Sequence, residues 1–171
     1  DLFSRDGANF GVVRIPVGAS DYIAGDMYFT CDDLPDGETD ASLEKFNLDN
    51  DVELIGVLKQ VLEVNPEIKF MASPWSAPAW MKLNGALVGG GGLKEDMYEV
   101  YADYLVKFVS EYKKQGINIS MLTLLNEPSV GALSYPTMDM NAVEAAKLTE
   151  LTGKKLAAAG LSVDIVSWDF N

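Results

Sequence analysis

Residues 116–128 read GINISMLTLLNEP, and this stretch decides the fold class of the chain. Gly116, which is suited to ending a helix, comes first, and a short apolar run begins at Ile119. Strands that are covered on both faces have this kind of composition. The sequence therefore predicts a buried strand at 119–125, with Glu127 just beyond its carboxyl end.

Three other runs share this composition: 11–17, 68–73 and 163–168. Three amphipathic helical patterns separate the four strands: 51–64, 94–115 and 141–159. The first helix is expected to bury one apolar face, made of Val52, Ile55, Leu58, Val61 and Leu62. The third opens with Asn141 and Glu144 at capping-box spacing. The order β-α-β-α-β-α-β predicts parallel strands with right-handed crossovers.

The connections differ in length on the two sides of the sheet. Long segments follow the strands (18–50, 74–93 and 126–140), whereas short turns lead back into them (65–67, 116–118 and 160–162). Parallel sheets and barrels place their sites at the carboxyl ends of the strands. Because a whole (β/α)8 TIM barrel needs ~250 residues, we predict about half of such a barrel. A complete doubly wound sheet is the alternative.

Composition excludes several functions. The chain carries 13 basic and 26 acidic residues, a net charge of −13, which disfavours nucleic acid and anionic lipid as partners. No apolar stretch is long enough for a membrane span. Without histidine, Ser-His-Asp and Cys-His catalysis and a His-bound zinc are all impossible within this chain. Acid/base chemistry must therefore use carboxylates, Lys or Tyr.

Glu127 is the first candidate for such chemistry. Glycoside cleavage needs a carboxylic acid that protonates the leaving oxygen, and an amide such as Asn126 can bind the sugar's 2-hydroxyl. The alternative is a solvated glutamate that merely begins a polar loop. Residues 72–80, ASPWSAPAW, follow the preceding strand and offer flat apolar faces to a sugar ring. We assign Trp75 to the site and leave open whether Trp80 binds sugar or packs.

Charged residues lie within or just after two other predicted strands. Arg14 lies inside an apolar strand and needs a partner, since an unpaired buried charge is costly. It either braces catalytic carboxylates or forms a structural ion pair with Asp21, which could otherwise bind sugar hydroxyls. Asp169 closes the fourth strand and is either a site residue or a surface aspartate. The acidic stretch 32–40 fails the EF-hand pattern, so a solvated loop is expected there.

These segments together resemble glycoside hydrolase family 30, which includes glucosylceramidases and β-1,6-glucanases. The matching segments are 13–22, 72–81 with 84–85 and 91–94, and 126–129 followed by Tyr135 and Pro136. The resemblance implies a parallel (β/α)8 TIM barrel, of which residues 1–171 form a partial catalytic domain covering roughly strands 2 to 5. The first strand and strands 6 to 8 would lie outside it, so the chain reads as the middle of a longer protein.

The resemblance also implies site roles and partners. Glu127 is similar to the general acid/base, Asn126 to the 2-hydroxyl contact, and Asp21, Trp75 and Asp169 to substrate-binding residues. Arg14 is similar to the arginine that braces the site. The nucleophile would be a glutamate outside this chain, so the fragment alone should be inactive. The expected partners are the rest of its own barrel and a β-glucoside, either glucosylceramide-like or β-1,6-glucan-like. No cofactor is implied.

Two competing hypotheses remain at this point. One is a non-catalytic carbohydrate-binding α/β domain, complete at this length. The other is a different family of barrel glycosidases, since Asn-Glu-Pro after the fourth strand recurs among them. A half-barrel also predicts unpaired edges at its outer strands, near Val13 and Ile165, which invite aggregation or dimerisation.

Overall fold

The structure, a computed structural model, describes residues 1–23, 25, 27–167 and 169. Strands and helices alternate along the described chain: β1 (Val12–Val17), α1 (Val52–Val64), β2 (Lys69–Pro74), α2 (Tyr98–Lys114), β3 (Ile119–Thr123), α3 (Ala142–Ala158) and β4 (Asp164–Val166). Every predicted element is present within a few residues of its predicted bounds. The fourth strand was predicted to end at Trp168, which lies outside the described residues.

The strands form one parallel sheet in the order β1-β2-β3-β4. Doubly wound sheets reverse their strand order at a switch point, whereas successive strands of a TIM barrel are neighbours throughout. The described sheet has no such reversal, so it is a segment of a barrel wall. In this part of the chain β1 and β4 each pair on one side only, as the half-barrel prediction requires.

The helices cover the outside of the sheet with the faces that their sequences predict. In α1 the buried positions are Ile55, Leu58 and Val61. Val52 was wrongly assigned to this face: it is 68% exposed. It is the first residue of α1, directly after a 3-10 turn at Asp49–Asp51, and the buried residue at this end of the helix is Asp51.

Helix α2 supplies much of the core because eight of its residues are buried. Its Tyr101 and Tyr104 rings stack with centroids 5.9 Å apart, and the Tyr112 hydroxyl donates to Asp51 Oδ2 at 2.6 Å. Helix α3 begins with the predicted capping box: Asn141 accepts from the Glu144 backbone N–H, and the Glu144 carboxylate accepts from that of Asn141.

The long segments all lie at the carboxyl ends of the strands. The segment after β1, which contains the acidic stretch 32–40, differs from its predicted structure. The acidic stretch is not uniformly solvated, since Asp32 is completely buried and Asp40 is 8% exposed. The Asp40 carboxylate accepts from the Lys45 backbone N–H and the Ser42 hydroxyl, so local turns cover it. Among the described residues, no helix combines the length and apolarity needed to cross a membrane.

Candidate active site

A cleft of about 250 Å³ lies at the carboxyl ends of the strands. Its lining residues are Arg14, Asp21, Tyr22, Trp75, Asn126, Glu127 and Asp169. The structure thus brings together all six residues that the sequence singled out, although they are spread over more than 150 positions. Parallel pairing of the four strands is what aligns their carboxyl ends.

Arg14 is the centre of a polar network on the floor of this cleft. Its Nη2 atom donates to Asp169 Oδ2 at 2.5 Å, to Asn126 Oδ1 at 2.6 Å and to Ser73 Oγ at 2.9 Å. The ion pair that the structure shows therefore joins Arg14 to Asp169 and not to Asp21. Because the Asn126 oxygen is bound to the guanidinium, the amide nitrogen is the group that can donate to a ligand hydroxyl.

Backbone pairing continues past the ends of the strands beneath the site. Asn126 and Asp169 form an isolated parallel bridge, and the Glu127 N–H donates to the Asp169 carbonyl at 2.7 Å. The Asn126 N–H donates to the Pro74 carbonyl, also at 2.7 Å. These bonds fix the segment that carries Glu127 to the neighbouring strand ends on both sides.

Glu127 itself has an unusual backbone conformation. Its φ angle is 43°, in the left-handed region that costs a non-glycine residue about 1–2 kcal/mol. Its N–H is held by Asp169 and its carbonyl accepts the Val130 N–H at 3.0 Å. Strain of this kind, held in place by surrounding bonds, is concentrated at functional sites. The side chain is half-buried at the cleft.

The two tryptophans of residues 72–80 have different surroundings. Trp75 lines the cleft, with the Arg14 guanidinium 4.6 Å from its ring centroid. Its indole nitrogen is buried and has no hydrogen-bond partner within the described part of the chain. Trp80 packs in the core, where its indole N–H donates to the Asp32 carbonyl at 2.9 Å.

Three residues of this region were not assigned roles from sequence. Tyr22 lines the cleft and is 91% exposed. Burial, and then the charges of Glu127 and Asp21, raise the pKa of the Tyr135 hydroxyl. Ser73 contacts both Arg14 and Asp169. All three fall inside segments that matched the family pattern, which was the available signal.

The cleft is not the largest depression on the surface. A groove of about 420 Å³ lies on the outer side of the sheet, between α1 and the end of α2. It shares no lining residue with the cleft, and the site is identified by its converging polar groups and not by its size. No group of three or more metal-ligating side chains that could hold an ion occurs among the described residues.

Comparison with known proteins identifies the family. The family model for the glycosyl hydrolase family 30 TIM-barrel domain matches residues 1–159. The endo-1,6-β-D-glucanase neg1 of Aspergillus fumigatus is 38% identical over 99% of this chain, which covers 38% of that protein. The lysosomal acid glucosylceramidase of Mus musculus is 33% identical over 78% of this chain, equivalent to 27% of its own length.

A solved structure shows the same likeness in three dimensions. An endo-β1,6-glucanase superimposes with a TM-score of 0.83 at 32% identity, over 96% of this chain and 36% of that one. The chain therefore spans less than two fifths of the length of these relatives. Within that span its four strands and three helices follow the barrel of the family.

Proposed function

The chain belongs to glycosyl hydrolase family 30, and we propose that it supplies the proton-donating half of the active site of a retaining β-glycosidase. The observation that carries this proposal is the position of Glu127, in a cleft with Asn126 and Trp75 at the carboxyl ends of parallel strands. Family membership favours a hydrolase over a non-catalytic carbohydrate-binding domain.

Glu127 acts as general acid and then as general base. As the glycosidic bond breaks, its carboxyl proton moves to the departing oxygen, so the aglycone leaves as an alcohol. In the second step the resulting carboxylate takes a proton from water while that water attacks the sugar carbon. The chain contains no histidine, so a carboxylate is the natural carrier of both proton transfers here.

The rest of the cleft binds the sugar. The Asn126 amide nitrogen donates to the 2-hydroxyl, a contact that strengthens in the transition state. Asp21 is exposed and can accept from two sugar hydroxyls. Trp75 lines the cleft with the Arg14 guanidinium over its ring, and because only 7% of the residue is exposed, it offers the sugar a small apolar area.

The nucleophile comes from outside this chain. A retaining mechanism needs a second carboxyl group ~5 Å from the first. Asp169 is poorly suited to that role, because its Oδ2 atom already accepts from Arg14 and from Ser73. We therefore expect the chain to be inactive alone and active when the rest of its barrel is present.

The substrate that we propose is a β-linked glucoside. The relatives named above are an endo-1,6-β-glucanase and a glucosylceramidase, so a β-1,6-glucan and a glucosylceramide-like lipid are the two substrates to test first. Both present a β-glucosyl group to the innermost subsite and differ in the aglycone. The residues of the cleft described here contact the sugar, and they are compatible with either aglycone.

The proposal is tested by replacing Glu127 with Gln in the full-length protein. Glutamine keeps the shape but cannot donate a proton, so cleavage of glucosides with poor leaving groups should fall about 10²–10⁴-fold. Activated aryl glucosides need little protonation, and their bond cleavage should be slowed much less. Glu67→Gln is the matched control, because Glu67 is exposed on a turn at the opposite edge of the sheet. Equal losses on both substrates, or no loss, would contradict the assignment.

A further inference from the structure

A pair of buried hydroxyls lies under the proposed site and has not been given a role so far. Ser73 is near the carboxyl end of β2, and Thr123 is the last residue of β3. Both are completely buried, and their hydroxyl oxygens are 2.6 Å apart. Buried hydroxyls on adjacent strands need hydrogen-bond partners, and these two satisfy each other inside the barrel wall.

The direction of each hydrogen bond follows from the partners. The Asp169 carboxylate, which forms an ion pair with Arg14, only accepts, so the Ser73 proton points to Asp169 Oδ2 across 2.8 Å. The Arg14 guanidinium only donates, and it reaches Ser73 Oγ at 2.9 Å. Since the single Ser73 proton is already committed, Thr123 must donate to Ser73. The pair therefore has one ordering: Thr123 to Ser73 to Asp169.

This ordered pair is connected to Glu127 by two short routes. The carboxylate that Ser73 holds belongs to Asp169, whose carbonyl accepts the Glu127 N–H. The Arg14 nitrogen that binds Ser73 also binds the Asn126 oxygen, and Asn126 precedes Glu127. Glu127 is held through backbone atoms, whereas the Asn126 amide is held by the Arg14 side chain. A tilt of the Arg14 and Asp169 side chains would therefore act mainly on the Asn126 amide.

We propose that Ser73 and Thr123 are positioning residues that orient the Arg14–Asp169 pair and, through it, the contact of Asn126 with the substrate. Neither touches the sugar. This inference rests on the proposed function, since it assumes that Asn126 binds the 2-hydroxyl in the transition state. Their effect should thus appear in kcat and should depend on whether the substrate has a 2-hydroxyl.

The experiment uses Ser73→Ala and Thr123→Val in the full-length protein. Each is assayed on an aryl β-glucoside and on the matching 2-deoxy-β-glucoside. Ser73→Ala removes a bond to a charged group, and we expect kcat on the glucoside to fall about 10-fold with little change in KM. Thr123→Val keeps the volume and should cost about threefold. Both losses should largely disappear on the 2-deoxy substrate.

Two further variants keep the test decisive. Ser120→Ala is the matched control, because Ser120 is also on β3 but donates to the Phe70 carbonyl, away from the cleft. Thr123→Ser restores the hydroxyl and should recover kcat. If Ser73→Ala does not fold, Thr123→Val and its rescue by serine carry the test.

The outcomes separate the two proposals. Equal losses on the glucoside and the 2-deoxy-glucoside, or activity equal to that of Ser120→Ala, would overturn the positioning role and leave the proposed function standing. A wild-type protein that cleaves no β-glucoside would overturn both.

Discussion

Asp32 gives the most quantitative prediction about stability. It is completely buried, and neither oxygen of its carboxyl group has a hydrogen-bond partner within the described chain. Desolvation by burial, followed by the nearby charges of Asp40 and Asp33, raises its pKa from 3.8 to about 6. The charges of Lys107 and Lys45 oppose this shift and do not cancel it.

The sign of the effect follows from proton linkage. Between about pH 4 and pH 6 the folded chain binds more protons at Asp32 than the unfolded chain, so the free energy of unfolding falls as the pH rises through this window. Above pH 6 the Asp32 carboxyl is ionised in both the folded and the unfolded chain, and burial of its charge lowers the free energy of unfolding by a constant amount. At 1.36 kcal/mol for each pKa unit, that cost is about 3 kcal/mol, and screening reduces it to about 1–3 kcal/mol.

Asp32→Asn removes the charge and keeps the shape. We expect the variant to be more stable than the wild type by about 1–3 kcal/mol at pH 7. The gain should vanish below about pH 4, where the wild-type carboxyl is neutral in both the folded and the unfolded chain. Urea unfolding followed by circular dichroism at several pH values measures this difference.

Asp36→Asn is the matched control for this prediction. Asp36 lies in the same acidic stretch but is exposed, and it is not among the charges that raise the pKa of Asp32. Its replacement should change the free energy of unfolding little at any pH. A gain for Asp32→Asn that does not change between pH 4 and pH 7, or no gain at all, would refute the reasoning.

Three other changes have defined outcomes. Arg14→Lys should lower kcat/KM on β-glucosides at least 10-fold, because a compact ammonium cannot lie flat over the Trp75 ring while it also donates to Asn126 and Asp169; initial-rate kinetics of the full-length protein measures it. Asn141→Ala removes a capping box and should cost about 1 kcal/mol in urea unfolding. Burial lowers the pKa of Lys82 from 10.5 to about 8, so stability should rise between pH 8 and 10.5, and Lys82→Met should flatten that rise.

The barrel segment could be predicted because its signals are local. The apolar runs, the helical periodicity and the Asn141–Glu144 spacing each depend on a few neighbouring residues, and the structure confirms them except for the burial of Val52. The same holds for the site at the strand ends, since parallel pairing alone brings Arg14, Asn126 and Asp169 together.

The contacts that depend on the packing of distant segments could not be predicted. The partner of Arg14 is 155 positions away, and nothing in the sequence favours Asp169 over the nearer Asp21. Burial of Asp32 depends on how its segment packs against Trp80, 48 positions later. Acidic composition alone indicates a solvated loop, which holds for the exposed residues 33 and 35–39 and is wrong for Asp32 and Asp40.

The burial of Lys82, in the segment that follows β2, could not be predicted from the sequence either. Its ammonium donates to the Thr137 carbonyl at 2.7 Å and to the Leu87 carbonyl at 3.3 Å, and so joins the segments that follow β2 and β3. A lysine in a polar loop is ordinarily solvated. Its burial between these segments emerges only when both are folded at the carboxyl ends of their strands.

The central claim, that Glu127 is the acid/base of a retaining enzyme, is tested most directly by chemical rescue of Glu127→Ala in the full-length protein. With an activated aryl β-glucoside the first step still proceeds, but the covalent intermediate lacks a base to activate water. Azide needs no such base: it bonds to the sugar carbon while the bond to the nucleophile carboxylate breaks. We predict that azide accelerates turnover and yields the β-glucosyl azide. No acceleration, or an α-configured product, would contradict the claim.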